Sequence, residues 1–276
     1  MNEPPFTTIA EAFSLTAEKY DGFAAGHPHL ARLRGKVYRH LARFLAPGPN
    51  GKILELNAGT GTDAVFLAQQ GYSVHATDIA PGMLQRLQDK VTGLGLSDRV
   101  TFQECSFTDL DSVHGAPYDA VFSDLGGLNC IPDLAPVIQK LPAVLRPGGL
   151  VTWVLMPPVC LWELGLAFTG QFHLAFRRLA RRGTRAHLEG KTFPVYYFTP
   201  RQARAWFGHS YQFLALEGLS VITPTAESKN LARRHPQVYN LLSWFDDRLS
   251  TRPPWWGWGD FYILSLRYLP EEYRHG

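Results

Sequence analysis

Residues Ile53–Ala64 read ILELNAGTGTDA. An apolar run stops, a turn of small residues follows, and a helix-like stretch begins. Glycines at 59 and 61 strip the turn of side chains, so its backbone can approach a ligand closely. The N-terminus of the helix that follows favours an anionic group. The turn therefore predicts a strand, a ligand loop and a helix, the opening unit of a nucleotide-type fold.

Working outward, the same rhythm repeats. Lys52–Leu56, Ser73–Asp78, Val100–Cys105, Tyr118–Ser123 and Leu150–Met156 read as strands. Gly61–Gln70, Pro81–Leu94 and Asp133–Leu145 read as helices between them. Strands alternating with helices over short links predict a parallel sheet covered on both faces. The first 46 residues read as a helical cap. Leu30, Leu33, Val37, Leu41 and Phe44 form a three-and-four stripe there, ended by PGPNG at 47–51.

After Met156 the alternation breaks. Residues 157–198 read as an inserted lid rich in arginine and aromatics, with Leu161, Leu164, Phe168, Phe172, Phe176 and Leu179 on one helical face. Arg177, Arg178, Arg181, Arg182 and Arg185 form a basic cluster beside it. Helix Pro200–Phe207, strand Tyr211–Ile222, helix Pro236–Leu249 and strand Asp260–Tyr268 then resume the pattern. The expected organisation is one domain: cap 1–46, ligand-binding core 47–156, lid 157–198 and the rest of the sheet in 199–276.

Bulk properties narrow the class. The 276 residues are 45% hydrophobic and 18% charged, with a net charge of +3, too weak a balance to argue for a nucleic-acid partner. The three cysteines, Cys105, Cys130 and Cys160, are widely spaced, so neither a disulfide framework nor a zinc site is expected. The start, MNEPPFTT, lacks the pattern of a signal peptide, and a cytoplasmic location is the expectation. Leu150–Phe168 is long enough to span a bilayer. Pro157, Pro158 and Glu163 interrupt it, and it reads instead as a buried strand, a break and a helix.

GTGTDA fits the dinucleotide fingerprint, with Asp78 placed to bind ribose hydroxyls. Its surroundings point elsewhere. Glu55 stands inside the strand before the turn, TDIAPGML closes the second strand, and CSFTDL, YDAVFSDLGGLN and LRPGG follow in order. The series resembles the class I S-adenosylmethionine-dependent methyltransferases of the small-molecule type, over about Tyr20–Met156. Asn57 replaces the family's first turn glycine and tolerates the left-handed backbone better than other non-glycine residues.

That resemblance implies a Rossmann-like α/β fold: a seven-stranded, mostly parallel sheet with its last strand antiparallel. It implies S-adenosyl-L-methionine as cofactor and a site built from Tyr20, Glu55, Asn57, Gly59, Gly61, Asp78, Ile79, Met83, Ser106, Phe107, Asp124 and Leu125. Tyr20 would fold over the cofactor and Asp78 would hold the ribose. Ile79 and Met83 would flank the adenine, and Ser106 and Phe107 would meet its edge and face. Asp124 and Leu125 would stand at the mouth of the methyl site.

Acceptor residues are expected at the same mouth: Asn129, and Trp255, Trp256 and Trp258 of PPWWGWGD. His173, Glu163 and Tyr196 are candidates for a general base, though none lies in a diagnostic motif. The expected activity is methyl transfer to a small molecule, apolar or lipid-like, with peripheral membrane contact through 161–185 as a further expectation. An NAD(P)-dependent oxidoreductase and a non-catalytic nucleotide-binding module are the alternatives; no YxxxK pair supports the former.

Overall fold

The computed structural model describes residues 6–45, 51–180, 182–225 and 230–273. Residues 1–5 of the cap, most of the PGPNG break and Arg181 lie outside them. Two helices come first, α1 (Phe6–Ala24) and α2 (Pro28–Ala42), followed by β1 (Lys52–Leu56), α3 (Thr62–Gln69), β2 (Ser73–Asp78), α4 (Pro81–Gly93), β3 (Val100–Glu104), β4 (Tyr118–Ser123), α5 (Ala135–Val144) and β5 (Leu145–Leu155). The inserted segment holds α6 (Leu161–Gly165), α7 (Phe172–Phe176), β6 (Thr184–Leu188) and β7 (Lys191–Val195). The chain ends with α8 (Pro200–Phe207), β8 (Tyr211–Leu219), α9 (Asn230–Arg234), α10 (Pro236–Leu249) and β9 (Phe261–Tyr268).

The main sheet has seven strands in the order β3-β2-β1-β4-β5-β9-β8. The first five are parallel, and β9 runs antiparallel to both its neighbours. Strand order reverses beside β1, which pairs with β2 on one side and β4 on the other. Ligands of open α/β sheets bind in the crevice at such a switch point, beyond the carboxyl ends of the strands.

Period-two patterning gives the sheet two apolar faces. Leu54, Leu56, Val121, Val151, Trp153 and Leu155 pack on one side with α5 and α8. Ile53, Ala76, Phe122 and Val154 pack on the other with Leu33, Val37, Ala64 and Leu87 of α2, α3 and α4. Glu55 is in phase with Ile53 and so faces the α2–α3 side. The register of α2 on the sheet is set by buried polar contacts: Lys36 Nζ lies 3.1 Å from Asp246, and His40 bonds Glu217 at 2.9 Å and Ser265 at 3.0 Å.

The inserted segment departs from the single amphipathic helix expected there. Gly170, left-handed at φ 79°, separates α6 from α7, each five residues long. The shared apolar face does not pack on the core: Phe168 is 97% exposed, and Phe172, Phe176 and Leu179 are also exposed. The rest of the segment is a hairpin. Leu188 pairs with Lys191 across Glu189 and Gly190, both with positive φ (47° and 75°), the geometry of a two-residue type I′ turn. A lone hairpin is marginally stable; this one rests on α1, with the Phe13 and Phe193 rings 5.9 Å apart. Helix α1 in turn crosses α4 closely because Gly82 has no side chain; a Cβ there would lie 2.8 Å from the Ser14 backbone.

Candidate active site

A cavity of about 290 Å³ opens at the switch point, between the ends of β1, β2 and β4 below and α1, α2 and the β6–β7 hairpin above. The ILELNAGTGTDA turn forms its floor. Asn57 adopts φ 56°, and its amide donates to Ser123 Oγ at 3.0 Å, pinning the turn to β4. Gly61 is needed because a Cβ would meet Leu87 at 2.6 Å in a backbone already at φ 73°. A Cβ on Gly59 would meet nothing within 4 Å, and this glycine lines the cavity.

Asp78 ends β2 at the cavity wall. Its two oxygens accept the amides of Gly59 at 2.8 Å and Ala80 at 2.9 Å, which fixes the carboxylate plane while leaving further lone pairs. Burial raises its pKa, and the amides of Ala80, Gly59 and Ile79 oppose that rise only in part. Ile79, Met83 and Phe107 supply apolar surface beside it, and Phe6 meets Phe107 edge-on at 5.7 Å.

A polar cluster lies behind the turn. Arg34 of α2 places Nε 3.3 Å from Asp63 Oδ1, and Tyr38 donates to the same oxygen. Asp124, after β4, lines the cavity 8% exposed with neither carboxylate oxygen hydrogen-bonded. Glu55 stands next to them at 1% exposure, with Oε2 unpartnered. Burial and the Asp63 charge push Asp124 up to about 8. Burial, then Asp63 and Asp124, pushes Glu55 well above the usual carboxylate range. Tyr20, whose pKa is raised chiefly by burial, closes the cluster from α1.

Of the residues singled out from sequence, Tyr20, Asn57, Gly59, Asp78, Ile79, Met83, Phe107, Asp124 and Leu125 line this one cavity. Glu55 and Gly61 lie immediately behind its wall. Ser106 does not line it: its hydroxyl closes on Thr108 at 2.8 Å. Asn129 is a fully buried clamp, with its amide on the carbonyls of Met156 and Tyr196 and its carbonyl on the Met156 amide. Trp255, Trp256 and Trp258 do not line the cavity: Gly218 of β8 lets the backbone of Trp255 and Trp256 approach, Gly257 lies against Pro200 of α8, and Trp258 is exposed. Glu163 is tied to Arg177 and Arg178, Tyr196 packs against the α5–α8 side of the core, and His173 is exposed on α7. None of these three reaches the cavity.

Sequence reading missed Arg34, hidden on a helix read only for its apolar stripe. It also missed Asp63 and the apolar wall of Phe6, Ile9, Phe13, Cys130, Met156, Phe193 and Val195. Cys130 is a neutral part of that wall, since burial pushes its thiol up to about 12.

A glycine turn open to the cavity, an acid at the end of the second strand and unsatisfied buried carboxylates at the switch point define a nucleoside-binding α/β enzyme. The chain belongs to the class I S-adenosylmethionine-dependent methyltransferases. Residues 53–149 match the family model described as a methyltransferase domain. The chain is 30% identical to the tRNA 5-carboxymethoxyuridine methyltransferase of Escherichia coli (strain K12), over 97% of each protein. It is 29% identical to the malonyl-[acyl-carrier protein] O-methyltransferase of Halorhodospira halophila, covering 70% of this chain and 67% of that one. Among solved structures, the complex of DhpI with SAH has the same fold (TM-score 0.59, 17% identity, 98% of this chain and all of that one). The cofactor is S-adenosylmethionine, and the open face of Gly59 and the unpartnered Asp124 are the features that fit it.

Proposed function

We propose that this enzyme methylates a small, largely apolar acceptor enclosed by α1 and the β6–β7 hairpin. The observation that carries the reading is the composition of the cavity. Its charged side chains, Arg34, Asp63, Asp78 and Asp124, come from α2, α3 and the ends of β2 and β4. The opposite wall, Ile9, Phe13, Cys130, Met156, Phe193 and Val195, carries no charge. Such a wall recognises shape and apolar surface.

In this reading Asp78 holds the ribose, and Ile79, Met83 and Phe107 bracket the adenine. The backbone at Gly59 meets the amino-acid end of the cofactor, with Asn57 shaping the turn and Leu125 lining the cavity after β4. Tyr20 covers the cofactor from α1. When bound, the cofactor supplies an activated methyl group, so the chain's own work is to align the acceptor and exclude water. No described residue of the apolar wall can take a proton. An acceptor seated against that wall is best served by an atom that is already nucleophilic, such as a carboxylate or thiolate.

Calorimetric titration with S-adenosylmethionine, S-adenosylhomocysteine and NAD tests the cofactor site, with micromolar binding expected for the sulfur nucleosides alone. Transfer of labelled methyl groups to apolar carboxylic acids, thiols and amines then tests the acceptor. The full-length likeness to a tRNA methyltransferase favours a second reading, a nucleic-acid acceptor. Label recovered in bulk tRNA, with none in the small molecules, would replace the first reading by the second.

No described helix is long and apolar enough to cross a membrane. The exposed Phe168, Phe172, Phe176 and Leu179, with Arg182 and Arg185 nearby, support peripheral contact with an anionic bilayer. Absence of flotation with liposomes, anionic or neutral, would rule that contact out. Three free cysteines fit a reducing, cytoplasmic setting.

A further inference from the structure

The ligand turn between β1 and α3 is held at its middle by a side chain of α1. Asn57, Gly59 and Gly61 all have positive φ, at 56°, 54° and 73°. Two glycines in so short a turn leave its backbone free to wander unless something fixes it. Its first half is fixed by the Asn57–Ser123 bond, by the Ala58 amide on the Thr77 carbonyl at 3.0 Å and by the Gly59 amide on Asp78. Thr60 stands between the glycines, buried, and lines the cavity. Its hydroxyl donates to Asp21 Oδ1 at 2.6 Å. Lys90, in the last turn of α4, holds the same oxygen at 3.0 Å and lies 3.3 Å from Thr60 Oγ1 and 3.5 Å from Thr62 Oγ1. A hydroxyl on an ionised acceptor makes a strong, directed bond.

Stability alone does not account for this arrangement. The Asp21–Lys90 pair is partly exposed, and such pairs contribute little to the fold. Helix α1 is packed on α4 without it: Ala17, Ala80 and Met83 are buried together, and the Gly82 amide donates to Ser14 Oγ at 3.2 Å. Those contacts stop at α4, whereas Asp21 reaches the ligand turn. Its neighbour Tyr20, about 100° round the helix, lines the cavity. We propose that Asp21, oriented by Lys90, is a positioning residue for the cofactor: through Thr60 it fixes the backbone of the glycine turn and sets that turn against Tyr20. Floor and cover of the cofactor cavity then form one piece, and the cofactor leaves only when both loosen.

This inference rests on the cofactor reading above, and its test separates the two. S-adenosylhomocysteine is titrated into the full-length protein by calorimetry, and release of the radiolabelled ligand is timed after dilution into excess unlabelled ligand. Thr60→Val keeps the shape and removes the donor; it is expected to weaken binding about tenfold, with faster release carrying most of the loss. Thr60→Ser keeps the donor and is expected to bind within about twofold of wild type. Asp21→Ala is expected to weaken binding roughly fivefold. The double variant should bind about as weakly as Thr60→Val, because the two residues act through one bond. Melting temperatures of the ligand-free variants are expected to stay close to that of wild type. Wild-type affinity in Asp21→Ala and Thr60→Val would overturn the proposal while leaving the cofactor site in place. A Thr60→Ser variant as weak as Thr60→Val would trace the loss to packing and overturn it too, as would melting temperatures that fall in step with affinity. If Thr60→Val fails to fold, Asp21→Ala decides alone. Failure of the wild-type protein to bind S-adenosylhomocysteine would overturn the cofactor reading, and this inference with it.

Discussion

Two of the buried clusters of acids and arginines among the described residues are built to opposite rules. In the inserted segment, Glu163 accepts from Arg177 at 2.7 and 2.9 Å and from Arg178 at 2.6 and 2.9 Å. Arg178 also reaches the Asp260 carboxylate at 2.6 Å and its carbonyl at 2.8 Å. Burial alone would raise Glu163, but the bonds and charges of the two arginines outweigh it and hold its pKa below the usual range. Cys160, Glu163 and Asp260 approach the spacing of a metal site, yet the Arg178 guanidinium already bridges the two acids. There two arginines balance two acids; at the switch point three acids, Asp63, Asp124 and Glu55, share one arginine, Arg34. A saturated cluster joins elements of the fold, whereas an unsaturated one with orphaned oxygens has a place for something else.

The largest effect should come from breaking the saturated cluster. Arg178→Met leaves two buried acids facing one another, with Arg177 reaching only Glu163, and is expected to destabilise the fold by roughly 3–5 kcal/mol, the range for removing one partner of a buried ion pair. Chemical denaturation measures it. A loss below about 1 kcal/mol would show the Glu163–Arg178 cluster to be solvated and would dissolve the contrast.

Next in size is Asp78→Ala. It should leave the fold intact and weaken S-adenosylmethionine binding at least tenfold, about 1.4 kcal/mol or more, by calorimetry. Unchanged affinity in the folded variant would remove Asp78 from the site.

The two clusters also differ in how far sequence revealed them. Glu55, Asp78 and Asp124 stand at strand positions that periodicity places at the carboxyl edge of a parallel sheet, so local pattern sufficed. Asn57 was legible for the same reason, as a residue that accepts the left-handed turn. Arg34 was not, because its meeting with Asp63 depends on how α2 lies across the sheet, and Lys36 and His40 decide that through partners on β8, β9 and α10. The lid was misread for a related reason. Its spacing of Leu161, Leu164 and Phe168 is helical, but Gly170 ends the helical run, and the Glu189–Gly190 turn commits the remainder to a hairpin. Ser106, Asn129 and the three tryptophans were assigned by position on the sheet's edge. Ser106 and Asn129 bond within the scaffold instead, and the tryptophans lie outside the cavity lining.

A smaller effect follows from the unsaturated cluster's proton. Below the ordinary carboxylate range Asp124 is protonated in both the folded and the unfolded chain. Between that range and about 8 only the folded chain keeps the proton, so the folded state binds more protons there. Stability from this group is therefore present at low pH and lost as pH rises through about 8. The melting temperature of the ligand-free protein, measured against pH, should fall more steeply over this window in wild type than in Asp124→Asn. Parallel profiles for the two proteins would mean that Asp124 is solvated.

The smallest effect should come from Trp258→Ala, which tests the boundary of the site itself. Trp258 stands edge-on to Trp255 at 5.8 Å, and its carbonyl accepts the Leu161 amide at 3.3 Å, a bond that alanine retains. Trp258 does not line the cavity, so its removal should lower stability by about 0.5–1.5 kcal/mol, the scale of one aromatic pair, and change cofactor affinity less than twofold. Phe13→Ala is the informative partner, because Phe13 joins α1 to the hairpin at Phe193 directly over the cavity. It should raise KM for the acceptor while sparing S-adenosylhomocysteine affinity. If Trp258→Ala raised KM and Phe13→Ala did not, the acceptor would enter over the tryptophans, and the apolar wall beneath α1 would be packing alone.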